Sequence, residues 1–95
     1  MTIRVVCSPR AAADIRQIVT FLAEENPVAA RNFIVAPAGA QRRLEECPNI
    51  GAHGLLPGTR RLVVGNYLVH YRRRGDAVEI FAVRDARRRD SRAPR

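Results

Sequence analysis

Residues 61–83 read RLVVGNYLVHYRRRGDAVEIFAV, and this stretch decides the fold. It holds three runs rich in β-branched and aromatic residues, at positions 61–64, 67–71 and 77–83. The segments between these runs, Gly-Asn at 65–66 and Arg-Gly-Asp at 74–76, are of the residue types that close tight hairpins. The pattern predicts three consecutive antiparallel strands.

The first half of the chain predicts a strand followed by a helical hairpin. A β-branched, apolar run at residues 2–7 precedes Ser-Pro at 8–9, which is an N-cap with proline at the first helical position. Asn-Pro at 26–27 repeats this signal and opens a second helix, which ends where the turn-rich connection 48–59 begins. We therefore expect an α+β domain of order β-α-α-β-β-β: an N-terminal strand, a helical hairpin and an antiparallel three-strand meander forming one curved sheet.

Two helix-breaking residues lie inside the second predicted helix. Pro37 costs about 3 kcal/mol and Gly39 about 1 kcal/mol relative to alanine in a helix interior. We therefore expect a kink or a break in this helix between Val35 and Pro37.

The charge of the chain is concentrated in its second half. All 17 basic residues are arginine, and the formal net charge is +8. The residues from Thr59 onward hold 11 of these arginines and 4 acids, which is +7 of that total. The electrostatic field of this positive charge attracts an anionic partner, either a nucleic acid or an acidic protein segment.

Length and composition exclude several classes of protein. The 95 residues suit one domain, which we place at residues 1–86, with 87–95 as a basic tail that is flexible or becomes ordered on binding. No apolar run reaches the roughly 18 residues of a membrane span, and the N-terminal stretch does not resemble a secretory signal, so we expect a cytoplasmic protein. Neither Cys7 nor Cys47 has another Cys or His at a spacing typical of metal ligands, so both are expected to be small buried residues. His53 also has no second metal-ligand residue at such a spacing. No metal or cofactor is implied.

Several short motifs, in a particular order, resemble one known superfamily. They span roughly residues 3–89 and are Ser8-Pro9-x-Ala11-x-x-Asp14-Ile15-x-x-Ile18, Ala29-Ala30, Leu44, Pro48-x-x-Gly51, Arg61, Tyr67-x-Val69-x-Tyr71, Val83 and Arg87-Arg88. Together they look like the ParE/RelE toxins of type II toxin–antitoxin modules, and closer to ParE. The resemblance implies a cognate ParD-like antitoxin with an acidic or amphipathic C-terminal segment, and a hetero-oligomer of two toxins with two or more antitoxins.

The two branches of this superfamily imply different activities. RelE-like members cut mRNA on the ribosome, and their tyrosine that opens the third strand is commonly followed by a catalytic arginine; here Tyr67 is followed by Leu68. Their second strand often alternates two basic residues, of which Arg61 matches one while Val63 replaces the other. No His or Tyr follows Phe81, and arginine does not deprotonate readily enough to act as a general base. The resemblance therefore implies a ParE-like, non-enzymatic inhibitor of DNA gyrase.

Two alternatives stay open at this point. A RelE-like endoribonuclease would use Arg61, Arg84 and Arg87 to hold a phosphate. A basic nucleic-acid-binding module without toxicity would use the same charge non-specifically. Basicity does not choose between nucleic acid and protein.

The candidate binding residues are arginines that adjacent strands would bring to one end or face of the sheet. They are expected to bind the antitoxin or the target, through charge-assisted bidentate contacts. The set comprises Arg60, Arg61, Arg72, Arg73, Arg74, Arg84, Arg87, Arg88 and Arg89.

The central predicted strand separates a core face from a face that could meet a partner. Tyr67, Val69 and Tyr71 alternate along it, so they are expected to point into the core. His70 and Arg72 fall on the opposite face.

Overall fold

A five-stranded sheet carries two helices on one face. The structure is a computed structural model, which describes residues 3–86, without the side chains of residues 34–38. Its elements are β1 (Arg4–Cys7), α1 (Pro9–Glu25), α2 (Pro27–Glu46), β2 (Ala52–His53), β3 (Thr59–Val64), β4 (Tyr67–Arg74) and β5 (Ala77–Asp85). The strand order is β1-β5-β4-β3-β2, in which β1 pairs parallel to β5 and the other pairs are antiparallel. The predicted α+β class and the order of helices and meander are confirmed, while the proposed tail 87–95 lies outside the described residues.

The short edge strand β2 is a correction to the predicted connection 48–59. Ala52 pairs with Arg61 and His53 pairs with Arg60 on β3. Two residues are too few to show the alternation by which strands are recognised in a sequence. This strand exists only because it pairs with β3, so its own residues could not predict it.

Both helices begin where the sequence predicts. The Ser8 hydroxyl accepts a hydrogen bond from the backbone N–H of Ala11 at 3.1 Å. The Asn26 side chain accepts one from the N–H of Ala29 at 3.2 Å, and Asn26 alone separates the two helices. Each cap satisfies one of the donors that the first turn of a helix leaves unpaired.

The predicted break in the second helix is wrong. α2 runs from Pro27 to Glu46 as a single α-helix. Phe33, Ala40 and Leu44, on either side of the Val35–Pro37 region, are buried in the same core, so packing holds both halves of the helix in place. Tertiary burial therefore overrides a local penalty of about 3 kcal/mol. A bend of the helix axis at this point stays a prediction.

The core lies between the helices and one face of the sheet. Tyr71 is 1% exposed and Val69 6%, and Tyr67 is partly buried against the same cluster. The Tyr67 ring meets the Phe33 ring of α2 edge to face, with centroids 4.6 Å apart. The prediction that these β4 residues belong to the core is confirmed.

Three hydrogen bonds, of which the one to Tyr71 is buried, hold the connection between α2 and β3 against the sheet. The backbone N–H of Gly51 donates to the Tyr71 hydroxyl at 2.9 Å. The Arg60 guanidinium donates to the carbonyl oxygens of Gly51 at 2.8 Å and Asn49 at 3.3 Å. Burying the Tyr71 ring is possible because its hydroxyl has this partner.

Both cysteines are exposed, so the prediction that they are buried is wrong. Cys7 is the last residue of β1, at an edge of the sheet, and Cys47 is the C-cap of α2. Both therefore stand at element ends, where fewer neighbouring elements can cover a side chain. The residue type predicted burial, but position in the fold decided exposure.

Candidate functional site

The face of the sheet opposite the helices collects several of the predicted arginines; we call it the outer face. Side chains alternate along each strand, and residues paired across strands share a face. Arg61 pairs with His70, and Arg72 pairs with Glu79, which places all four on this face. The outer face includes Arg4 and Val6 of β1, Arg61 and Val63 of β3, Leu68, His70, Arg72 and Arg74 of β4, and Glu79, Phe81 and Arg84 of β5.

A β-bulge puts Phe81 on the outer face. His70 pairs with Ala82 while Tyr71 pairs with Ile80, so Phe81 is an extra residue on β5. Ile80 and Val83 are three residues apart, so strict alternation along β5 would point their side chains to opposite faces. The extra residue at the bulge allows both side chains to point into the core. Both are buried in the core cluster, and Phe81 turns the other way.

Arg72 is held in place by two neighbours on β5. Its Nε lies 2.8 Å from Glu79 Oε1, and its guanidinium carbon lies 5.0 Å from the centroid of the Phe81 ring. Glu79 also approaches Arg74, with an Nε–Oε1 distance of 3.8 Å. One carboxylate thus serves two guanidinium groups, and this cluster keeps a net positive charge.

Arg61 is exposed and forms no ion pair with any residue in the described range 3–86. It lies diagonally across from Arg72 on the neighbouring strand, so the Cα atoms of the two residues are about 7–8 Å apart. Val63 beside it is 60% exposed, and Val6 at the other edge is 43% exposed. Among the residues that the structure describes, the outer face therefore combines an excess of positive charge with exposed aliphatic surface.

Two other predicted arginines lie on the helix side of the sheet and do not join this face. Arg60 pairs with Tyr71 on the helix side and holds the backbone carbonyls of the α2–β3 connection. Arg73 pairs with Val78, also on the helix side, and donates to the Gly75 carbonyl oxygen at 3.1 Å. Neighbouring residues of a strand point to opposite faces, so the arginine runs of β3 and β4 are divided between the two faces of the sheet. Arg87, Arg88 and Arg89 lie outside the described residues.

Arg84 is engaged by α1. Its Nη1 lies 2.8 Å from Asp14 Oδ2, and the same carboxylate oxygen accepts the backbone N–H of Val83 at 3.0 Å. β5 continues beyond the residues that pair with β1, and Asp14 covers this unpaired part of its edge. This geometry is unfavourable for the phosphate clamp of Arg61, Arg84 and Arg87. The charge of Arg84 is already paired with Asp14. In addition, β4 lies between the strands of Arg84 and Arg61, so the two residues are at least two strand spacings, about 10 Å, apart.

His70 offers poor access for acid–base catalysis. It is 4% exposed, and its ring centroid lies 6.2 Å from that of Phe81. In the part of the chain that the structure describes, no group of three or more His, Cys, Asp or Glu side chains is arranged to hold a metal ion.

A second feature, an apolar groove on the helix side, was not found from the sequence. Its volume is about 210 Å³, and its walls include Cys7, Ile15, Phe33, Ala40 and Tyr67. The walls come from β1, α1, α2 and the strands β3 to β5, which meet only in the folded chain, so no local sequence signal indicates the groove. Although Cys7 is exposed, its partial burial at this groove raises the pKa of its thiol.

A model of the "ParE toxin of type II toxin-antitoxin system, parDE" matches residues 5–90 of the sequence. The chain belongs to this ParE toxin family. A solved structure titled "Chromosomal ParDE TA system from P. aeruginosa" is similar to it, with a TM-score of 0.72 at 20% identity over 87% of this chain and 95% of that one. A search among curated proteins finds no match. Across residues 3–86, neither helix of this ParE-family toxin is long and apolar enough to cross a bilayer.

The thiol of Cys7 in this ParE-family toxin is expected to react slowly. A raised pKa leaves less thiolate at neutral pH, and the thiolate is the nucleophile. With the Cys47→Ser variant, alkylation by iodoacetamide should therefore reach half its maximal rate at a higher pH than alkylation of N-acetylcysteinamide, an uncharged cysteine reference. Mass spectrometry over a pH series measures both rates, and a midpoint at or below that of the free thiol would contradict the expectation.

Proposed function

We propose that this ParE-family toxin acts without catalysis, by binding DNA gyrase and inhibiting it, and that a cognate ParD-like antitoxin neutralises it in the cytoplasm. Its membership of the ParE family supports the toxin–antitoxin part. The similar P. aeruginosa structure comes from a ParDE system, which supports a hetero-oligomer of toxin and antitoxin here as well.

The observation that carries the non-enzymatic part is the chemistry of the outer face. Cutting RNA requires a group that accepts a proton and cationic groups gathered around the phosphate. Among the described residues of this face, Arg61 has no ion pair, Arg72 and Arg74 share the carboxylate of Glu79, Arg84 is paired with Asp14, and His70 is buried. Leu68 and Val63 stand where RNA-cutting relatives carry basic residues. Such a surface suits binding rather than cleavage.

The proposal is tested by expressing the chain with and without its antitoxin and assaying purified toxin on gyrase. We expect growth arrest on induction, recovery on antitoxin expression, and loss of DNA supercoiling at toxin concentrations near that of gyrase. Full-length transcripts should persist in the arrested cells. Normal supercoiling at a large excess of toxin would overturn the gyrase proposal, and transcripts cut soon after induction would favour the RelE-like alternative.

A further inference from the structure

We propose that the outer face is the surface with which this toxin docks on an acidic, folded surface of its target protein, with Arg61 and Arg72 as the central contacts. This inference rests on the proposed function, in which the toxin acts by binding a protein. It assigns that binding to one face of the sheet and to two of the nine arginines that the sequence indicated.

Charge is the first support. On the described outer face, Arg61 has no acidic neighbour, and Arg72 and Arg74 share the single carboxylate of Glu79. Among the described residues, the centre of this face therefore carries an excess of positive charge. Opposite charge across an interface steers association and excludes partners with the wrong charge.

Preorganisation is the second support. Arg72 lies over the Phe81 ring and against Glu79, on a central strand of the sheet. A guanidinium that is already held loses little side-chain entropy when a carboxylate binds it. Arg61, exposed at diagonal distance on β3, can reach the same acidic patch.

The surroundings of these arginines favour a protein over a nucleic acid. Val63 and Val6 expose aliphatic side chains on this face, and aliphatic surface suits protein side chains better than phosphates. The Phe81 ring is 9% exposed and covered by Arg72, so it is not available to stack on a base.

The shape of the face favours a folded partner over a peptide. Segments of chain are recognised in grooves or along strand edges. The outer face is instead the broad side of a five-stranded sheet, and the described groove lies on the other side, among the helices. A broad face with a charged centre suits the surface of a folded protein.

The test reverses the charge of one outer-face arginine and compares the effect on gyrase binding with that of the same substitution outside this face. Arg61→Glu is measured against Arg31→Glu, which changes an exposed arginine of α2 that has no ion pair among the described residues. Both proteins are purified from complexes with the antitoxin, and thermal unfolding and antitoxin affinity establish that they are folded. Binding to immobilised gyrase is then measured at two salt concentrations, together with growth on induction.

We expect Arg61→Glu to bind gyrase at least about tenfold more weakly and to lose growth inhibition, while Arg31→Glu behaves as the wild type. Equal binding and equal toxicity of the two variants would overturn the proposal. Arg61-dependent binding of poly(U) RNA with unchanged gyrase binding would also overturn it, in favour of a nucleic-acid surface.

The same experiment separates failure of this inference from failure of the proposed function. If the wild type does not bind gyrase, the gyrase assignment fails. Growth inhibition that is still lost in Arg61→Glu and kept in Arg31→Glu would then support the outer face as the docking surface for a different protein.

Discussion

Replacing Asp14 with alanine is expected to lower the free energy of unfolding by about 3 kcal/mol. The carboxylate holds both the Arg84 guanidinium and the Val83 N–H, and its side chain is only 13% exposed. Removing it leaves a partly buried donor unpaired, which costs about 1–3 kcal/mol, and a charged group without its partner. Solvent reaches Arg84, whose side chain is 23% exposed, and this keeps the expected loss below that of a fully buried pair. Urea unfolding followed by circular dichroism measures the change.

Arg4→Ala provides the matched control for this ion pair. Arg4 and Asp76 lie 3.7 Å apart with side chains 68% and 57% exposed. Exposed pairs of this kind contribute about 1 kcal/mol or less. If Asp14→Ala destabilised the fold no more than Arg4→Ala, Asp14 would not be holding β5 to α1 as the geometry indicates.

Gly51→Ala should destabilise the fold by a similar amount, about 3 kcal/mol. A Cβ at this position would lie 2.6 Å from the backbone oxygen of Arg61 and 2.8 Å from the Tyr71 hydroxyl. The first of these is backbone of β3 and cannot turn aside, so the connection must move and lose the hydrogen bond from Gly51 to Tyr71. Overpacking costs about 1–3 kcal/mol, and the lost hydrogen bond adds to it. Thermal and urea unfolding both report this loss.

Gly39→Ala is the control for this substitution and should have the opposite sign. Gly39 lies inside α2, is exposed, and has nothing within 4 Å of the position of a Cβ. Alanine in an exposed helix interior is more stable than glycine by about 0.5–1 kcal/mol. A stabilised Gly51→Ala protein would show that the α2–β3 connection is not in close contact with the sheet.

Much of the fold could be predicted because its signals are local. The caps at Ser8 and Asn26 act within three residues, and each hairpin turn of the meander is two residues long. The residue motifs also indicated the ParE family, to which the chain belongs. β2, the uninterrupted α2 and the exposure of Cys7 and Cys47 could not be predicted, since each depends on which element lies alongside.

The candidate site divides in the same way. The sequence by itself determined that the second half of the chain is rich in arginine and that His70 and Arg72 share a face of β4. Only the tertiary structure decided which arginines meet there, because two long-range features control it. The bulge at Phe81 changes the alternation of β5 and places a ring beneath Arg72, and Asp14, separated by 69 positions from Val83, engages Arg84. A residue pattern records the period of one strand, whereas the register between strands and the contacts of a helix with a sheet edge arise only when distant segments pack together.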